Sequence, residues 1–104
     1  MSEFVRVAGV SELPRGSKRL LDIDGRAVAL FNVDGTIYAI DDVCTHDGGP
    51  LADGELQGCE VVCPRHGARF DVRTGAALCM PAFEAVKTHE IRIENGAVFV
   101  RLNE

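Results

Sequence analysis

Residues 26–40 read RAVALFNVDGTIYAI, two runs of apolar and β-branched side chains on either side of Asp34-Gly35. β-Branched and aromatic residues favour extended strands, and an Asp-Gly pair between two such runs is a strong signal for a tight hairpin turn. The stretch therefore predicts two antiparallel strands, at residues 26–33 and 36–40, joined by a two-residue turn.

The same turn signal recurs on both sides of this hairpin, as Asp-Gly at residues 24–25 and as Asn-Gly at residues 95–96. Apolar or alternating runs that border these turns, or lie between polar loops, predict six further strands. They are residues 4–7, 19–23, 60–62, 69–72, 87–93 and 97–102. The one helical signal is a single turn at residues 11–14, with Ser11 as its cap. We therefore expect an all-β fold of small antiparallel sheets.

Size, composition and charge exclude several classes of function. The chain has 104 residues with 11 basic and 16 acidic side chains, so its formal net charge is −5. Nucleic acids and anionic membranes need a basic face, and no apolar run approaches the ~20 residues that span a bilayer. The first residues lack the pattern of a secretion signal, which favours a cytoplasmic location. We expect one domain over residues 1–104, and a monomer that binds neither nucleic acid nor membrane.

Two glycine- and proline-rich stretches interrupt the strand pattern, and each carries one cysteine and one histidine. The first begins Cys44-Thr-His46, and the second begins Cys63-Pro-Arg-His66. Thiolates and imidazoles are good ligands for transition metals, and glycines let the backbone approach an inorganic centre closely. Zinc accepts two cysteines and two histidines in a tetrahedron. The mixing of Cys with His in each loop, together with the glycine-rich continuation, favours a larger cluster over zinc.

The two stretches resemble the cluster-binding boxes of Rieske proteins, over residues 44–51 and 63–71. The resemblance continues through the turn at residues 73–75, Pro81 and the terminal hairpin, and so covers nearly the whole chain. It implies a Rieske fold in which both boxes lie at one end of the sheets. It also implies one 2Fe–2S cluster per chain as the cofactor.

The resemblance assigns the four candidate ligands by position. Cys44 and Cys63 would bind one iron of the cluster, and His46 and His66 would bind the other. Two neutral imidazoles in place of two thiolates make the cluster less negative. Its reduction potential is therefore expected to lie above that of all-thiolate ferredoxins.

Departures from the pattern of respiratory Rieske proteins predict a potential near the low end of the Rieske range. Gly49 and Arg65 stand where those proteins place a further pair of cysteines, so a disulfide between the loops cannot form. Ala68 and Phe70 stand where those proteins place a serine and a tyrosine, whose hydroxyls stabilise the reduced cluster. We therefore predict a potential of about −150 mV.

Size and motifs are similar to the stand-alone Rieske ferredoxins of bacterial ring-hydroxylating dioxygenase systems, and also to the small Rieske subunit of assimilatory nitrite reductase. The resemblance implies a one-electron carrier that is not itself an enzyme. A flavin-dependent reductase would supply electrons, and a terminal oxygenase or reductase would accept them through the His46 and His66 side of the cluster. A redox-sensing interaction module is the alternative from another class of function.

The remaining candidate ligands are interpreted differently. Cys59 and Cys79 have no histidine at ligand spacing, so we interpret them as buried or partly exposed free thiols. His89 lies in an alternating run and is interpreted as a surface or edge-strand histidine rather than a ligand. Asp47 and Arg65 lie beside predicted ligands and are candidates for a docking rim.

Overall fold

The computed structural model describes residues 3–43, 51–64, 67–79 and 84–103. Along these residues the chain forms nine strands and one short 3₁₀ turn. The strands are β1 (Val5–Gly9), β2 (Lys18–Ile23), β3 (Arg26–Val33), β4 (Thr36–Asp41), β5 (Glu55–Gln57), β6 (Glu60–Val62), β7 (Arg69–Asp71), β8 (Thr88–Glu94) and β9 (Ala97–Arg101). The 3₁₀ turn covers Val10–Glu12.

The strands form two antiparallel sheets, which confirms the all-β prediction. The larger sheet has six strands in the spatial order β1-β9-β8-β4-β3-β2, and the smaller sheet has the order β5-β6-β7. Strands that are neighbours both in the sequence and in a sheet pair as hairpins. The other two pairs, β1 with β9 and β4 with β8, are separated by longer connections. The described residues contain no helix that is long and apolar enough to cross a membrane.

The three predicted two-residue turns join β2 to β3, β3 to β4 and β8 to β9. Both residues of each turn have positive φ angles; in the β3–β4 turn φ is 53° at Asp34 and 94° at Gly35. Positive φ at both positions is the requirement of a type I′ turn, whose twist matches that of the strands it joins. The Asn32 side chain supports this turn by accepting a hydrogen bond from the Gly35 N–H at 2.8 Å.

Strand β3 is buried on both faces and separates two groups of core residues. On one face, Ala29 and Phe31 pack with residues of the smaller sheet such as Phe70, in what we call the inter-sheet core. On the other face, Val28 and Leu30 pack with residues from β1 and β9, in what we call the second core. The continuous apolar run in β3 therefore reflects a strand that is covered on both sides.

Strand β5 and the cap of the 3₁₀ turn differ from the predictions. Glu55–Gln57 forms a strand by pairing with β6, although only one of its three residues is apolar. The 3₁₀ turn is capped by Gly9 and not by Ser11, because the Gly9 N–H donates to the Glu12 carboxylate at 2.6 Å. This hydrogen bond, together with the Arg19 guanidinium, holds the pKa of Glu12 below its ordinary value.

The prediction that His89 is a surface or edge-strand histidine is wrong. Strand β8 lies between β9 and β4, and the side chain of His89 is completely buried. Its Nε2 lies 2.7 Å from Oδ1 of Asp41, so a buried polar contact takes the place of the predicted solvent contact.

Candidate metal centre

The four predicted ligands lie in two loops, and the structure describes one of these four residues. Cys63 lies at the end of β6, whereas Cys44, His46 and His66 lie outside the described residues. Within the described ranges, no group of three Cys, His, Asp or Glu side chains is placed to hold a metal ion.

The second loop is closed by hydrogen bonds around Cys63. The Cys63 N–H donates to the carbonyl of Ala68 at 2.7 Å, and the Gly67 N–H donates to the carbonyl of Cys63 at 3.0 Å. Gly67 has a φ of 75°, a conformation that glycine adopts without steric cost. These bonds fix the backbone of Cys63 where β6 ends and the chain turns back toward β7.

A buried aspartate holds the two ends of the first loop together. Asp42 directly follows β4, and its Oδ1 accepts hydrogen bonds from the N–H groups of Leu51 at 2.7 Å and Ala52 at 2.6 Å. Such bonds from N–H groups to a carboxylate are stronger than bonds between neutral groups. The loop between Asp42 and Leu51 is therefore closed at its base, beside the end of β4.

The bases of the two loops meet in the inter-sheet core. Leu51 from the first loop and Cys63 and Ala68 from the second belong to the same buried cluster. Gly54 brings the returning chain against β6, since a Cβ atom there would lie 1.8 Å from the carbonyl oxygen of Val62. The described residues that flank the two loops therefore lie together in one buried cluster.

The surroundings of Cys63 fit an iron–sulfur centre. The residue is 1% exposed, forms no disulfide and packs among apolar neighbours at the base of both loops. A thiol in this position is a soft sulfur donor shielded from bulk water, which is the kind of ligand that iron–sulfur clusters use. Cys63 would hold the cluster from the side of the smaller sheet.

Two of the four residues that bear on the predicted potential are described, and the other two, like the docking-rim candidate Asp47, are not. Ala68 and Phe70 are fully buried in the inter-sheet core and carry no hydroxyl that could donate to sulfur. Asp47, Gly49 and Arg65 lie outside the described residues.

Cys59 and Cys79 are free thiols. Cys59 is partly buried between β5 and β6, and its carbonyl accepts a hydrogen bond from the Val72 N–H at 2.9 Å. Cys79 is exposed, and its Sγ lies 3.8 Å from the carbonyl oxygen of Gly67 in the second loop. Both residues thus have environments within the range that the sequence predicts.

An ion pair fixes the turn that follows β7. The Asp71 carboxylate accepts hydrogen bonds from the backbone N–H, Nε and Nη2 of Arg73, at 2.8, 3.1 and 2.9 Å. These bonds hold the pKa of Asp71 below its ordinary value, since they favour the charged carboxylate. Gly75 ends the turn with a φ of 80° and accepts a hydrogen bond from the Val86 N–H at 2.8 Å.

Comparison with known proteins places this arrangement in a family. Residues 3–90 match the family model described as the Rieske [2Fe-2S] domain. The chain is 39% identical over 99 residues to the ferredoxin component of the naphthalene 1,2-dioxygenase/salicylate 5-hydroxylase systems of a Ralstonia species, covering 95% of each chain. It is 41% identical over 104 residues to the ferredoxin component of the 2,4-dinitrotoluene dioxygenase system of Burkholderia sp. strain RASC, covering 99% of this chain and 100% of the relative.

A solved structure shows the same fold. The chain superimposes with a TM-score of 0.90 and 30% identity on a chain from the complex of reduced oxygenase and oxidized ferredoxin in carbazole 1,9a-dioxygenase. The match covers 94% of this chain and 92% of the other.

Proposed function

Because this chain belongs to the Rieske [2Fe-2S] domain family, we propose that it carries single electrons to a terminal oxygenase of the aromatic-ring dioxygenase type. The observation that carries the proposal is the full-length match to ferredoxin components of dioxygenase systems, at about two identical residues in five. The solved complex of an oxygenase with a ferredoxin of the same fold supports an oxygenase as the acceptor. The chain acts as a carrier and leaves catalysis to its partner.

We assign the cluster ligands as Cys44 and Cys63 for one iron and His46 and His66 for the other. The buried thiol of Cys63, at the joined bases of both loops, supports this assignment. When bound, the Rieske cluster accepts and releases one electron at a potential that its ligands and its hydrogen bonds set. The protein closes both loops at their bases and keeps Cys63 away from water.

The EPR spectrum of the reduced protein tests the assignment. Cys63→Ser and His66→Ala are expected to abolish the Rieske signal and the iron content, because each removes one of four ligands. Cys59→Ser and Cys79→Ser are matched controls, since both remove a free thiol that lies outside the proposed set. A Rieske signal that survives in Cys63→Ser would contradict the assignment.

Reconstituted electron transfer tests the function itself. We propose a flavin-dependent reductase as the donor, and a cytoplasmic monomer of one Rieske domain over residues 1–104 as the carrier. Turnover of an aromatic-ring dioxygenase that requires this protein would support the proposal. Binding to a partner that depends on the oxidation state, without turnover, would instead indicate a redox sensor. Redox titration tests the predicted potential of about −150 mV, which a midpoint well above zero would contradict.

A further inference from the structure

A partly buried polar network lies beside the base of the first loop, and the proposed ligands do not use it. His89 on β8 places its Nε2 2.7 Å from Oδ1 of Asp41. Its Nδ1 accepts a hydrogen bond from the backbone N–H of Asn103 at 3.0 Å. The Asp41 carboxylate also accepts hydrogen bonds from Nε and Nη2 of Arg26, each at 3.2 Å. The network therefore joins β3, β4, β8 and the end of the chain.

The bond from Asn103 selects the form of the His89 ring. A ring nitrogen that accepts a hydrogen bond carries no proton, so the neutral ring holds its hydrogen on Nε2 and donates to Asp41. Asn103 is itself held in place, since its side-chain amide donates to the carbonyl of Thr88 at 2.8 Å. Asp41 thus receives donors from two directions, His89 on one side and Arg26 on the other.

Asp41 connects this network to the first loop. It is the last residue of β4 and directly precedes Asp42, whose carboxylate binds the N–H groups of Leu51 and Ala52. The Asp41 N–H donates to the carbonyl of Lys87 at 2.9 Å, so the backbone at this point is also held from the side of β8. Because a rigid peptide unit joins Asp41 to Asp42, a change in the backbone dihedral angles at Asp41 would reorient Asp42.

We propose that His89 is a positioning residue for the cluster, acting through Asp41 on the orientation of Asp42 and hence of the first loop. This inference rests on the proposed function, which places Cys44 and His46 in that loop. In the sequence only Val43 separates Asp42 from Cys44, the first proposed ligand. Ligand orientation tunes a metal centre, which gives the proposal a measurable consequence.

His89→Leu is the decisive variant, because it removes both ring hydrogen bonds and fills the buried space with an apolar side chain. The matched control is Asn32→Leu, at the opposite end of the β3–β4 hairpin. Asn32 is also buried, donates to the carbonyl of Leu13 at 2.6 Å and accepts from the Gly35 N–H at 2.8 Å. Both variants therefore remove two hydrogen bonds of a buried side chain, and His89→Leu is the variant that lies beside the first loop.

Three measurements on the cluster-loaded protein distinguish positioning from a merely structural role. In His89→Leu we expect shifted g values of the reduced cluster, a changed midpoint potential and hydrogen exchange about tenfold faster in a peptide covering residues 51–56. In Asn32→Leu we expect a comparable loss of stability with the wild-type spectrum, potential and local exchange. His89→Gln, which keeps a donor for Asp41, is expected to recover part of the wild-type behaviour.

The proposal is overturned if His89→Leu keeps the wild-type spectrum, potential and exchange. It is also overturned if Asn32→Leu changes all three to the same extent, since general destabilisation would then explain both variants. If His89→Leu does not fold, Asp41→Asn, which removes the carboxylate that His89 contacts, carries the same test, and wild-type behaviour of Asp41→Asn overturns the proposal. A wild-type protein without a Rieske signal would refute the proposed function instead, so the two failures are distinguishable.

Discussion

Ala68 is a small residue beside Cys63 through which the potential of the centre can be tested. Its carbonyl accepts the hydrogen bond from the Cys63 N–H at 2.7 Å, and its methyl group is fully buried. Ala68→Ser is expected to raise the midpoint potential, because a hydroxyl donating to sulfur favours the more negative reduced cluster. A hydrogen bond stronger by about 1 kcal/mol in the reduced state corresponds to about 40 mV for a one-electron couple.

Ala39→Ser is the control for this prediction, since Ala39 is equally small and buried but belongs to the second core. Redox titration of both variants checks it. An unchanged potential in Ala68→Ser, or an equal rise in Ala39→Ser, would contradict the reasoning.

Gly54 is required by steric contact rather than by its backbone angles. A Cβ atom at this position would lie 1.8 Å from the carbonyl oxygen of Val62, and backbone cannot move aside as a side chain can. We expect Gly54→Ala to lower the free energy of unfolding by about 3 kcal/mol. Gly9→Ala is the control, because its nearest neighbour would be a flexible carboxylate oxygen of Glu12 at 3.4 Å.

Urea denaturation measures the free energy of unfolding of both glycine variants. Equal stability of Gly54→Ala and Gly9→Ala would show that the contact with Val62 is relieved at little cost.

His89 shows what a sequence cannot reveal about a single residue. Its alternating neighbours suggest a strand with one solvated face, whereas its partners Asp41 and Asn103 are 48 and 14 residues away in the chain. Periodicity reports which side of a strand a residue occupies, and it does not report which distant residue covers that side. The prediction failed for that reason.

At the scale of elements, the turns are predicted more reliably than the short strands. Each Asx-Gly pair carries its own backbone preference, so all three hairpins follow from local sequence. Strand β5 has no such signal, because the pairing Glu55↔Val62 to Gln57↔Glu60 depends on a partner already held in place by its neighbours. The spacing predicts two Cys-His pairs, of which the described residues include Cys63, but it does not predict the two hydrogen bonds by which Asp42 closes the first loop.

The turn after β7 predicts a dependence of stability on pH. The bonds from Arg73 lower the pKa of Asp71 in the folded protein, so at acidic pH the unfolded state binds more protons. The stabilisation is complete above the ordinary Asp pKa of about 4 and is lost as the pH falls below that value toward the lowered one. Because the Arg73 side chain is 52% exposed, we expect less than about 1 kcal/mol.

Unfolding midpoints between pH 3 and pH 6 check this prediction in the wild type and in Arg73→Met. The variant is expected to lose less stability over this range, since its Asp71 lacks the charged partner. Arg92→Met is the control, because Arg92 is similarly exposed and pairs with Glu94 instead of Asp71. Equal pH dependence in Arg73→Met and the wild type would contradict the prediction.

At the scale of the molecule, the two cores predict an uneven response to loss of the cluster. The second core packs against the larger sheet, whereas the smaller sheet packs through the inter-sheet core, which contains Cys63. Cys63→Ser, purified without cluster, is therefore expected to exchange amide hydrogens at least about tenfold faster in residues 55–71, with a smaller change in residues 26–40.

Cys59→Ser, which alters a thiol on the same smaller sheet, is the control and is expected to keep wild-type exchange. An equal increase in both sheets of Cys63→Ser would show that the cluster stabilises the whole fold as one cooperative unit.

Leu78 and Ile93 offer a test of where the acceptor binds. Both are exposed large apolar side chains, at 45% and 49%, but Leu78 precedes Cys79, whose thiol contacts the second loop. Ile93 lies toward the end of β8 away from the first loop, beside the β8–β9 turn.

If the oxygenase binds at the cluster end, Leu78→Asp removes apolar contact area there and introduces a charge, whereas Ile93→Asp makes the same chemical change at a distance. We expect Leu78→Asp to slow reduction of the oxygenase at least about tenfold with an unchanged midpoint potential, and Ile93→Asp to leave the rate unchanged. Stopped-flow mixing of the reduced protein with oxygenase measures both rates, and equal rates would place the contact elsewhere on the surface.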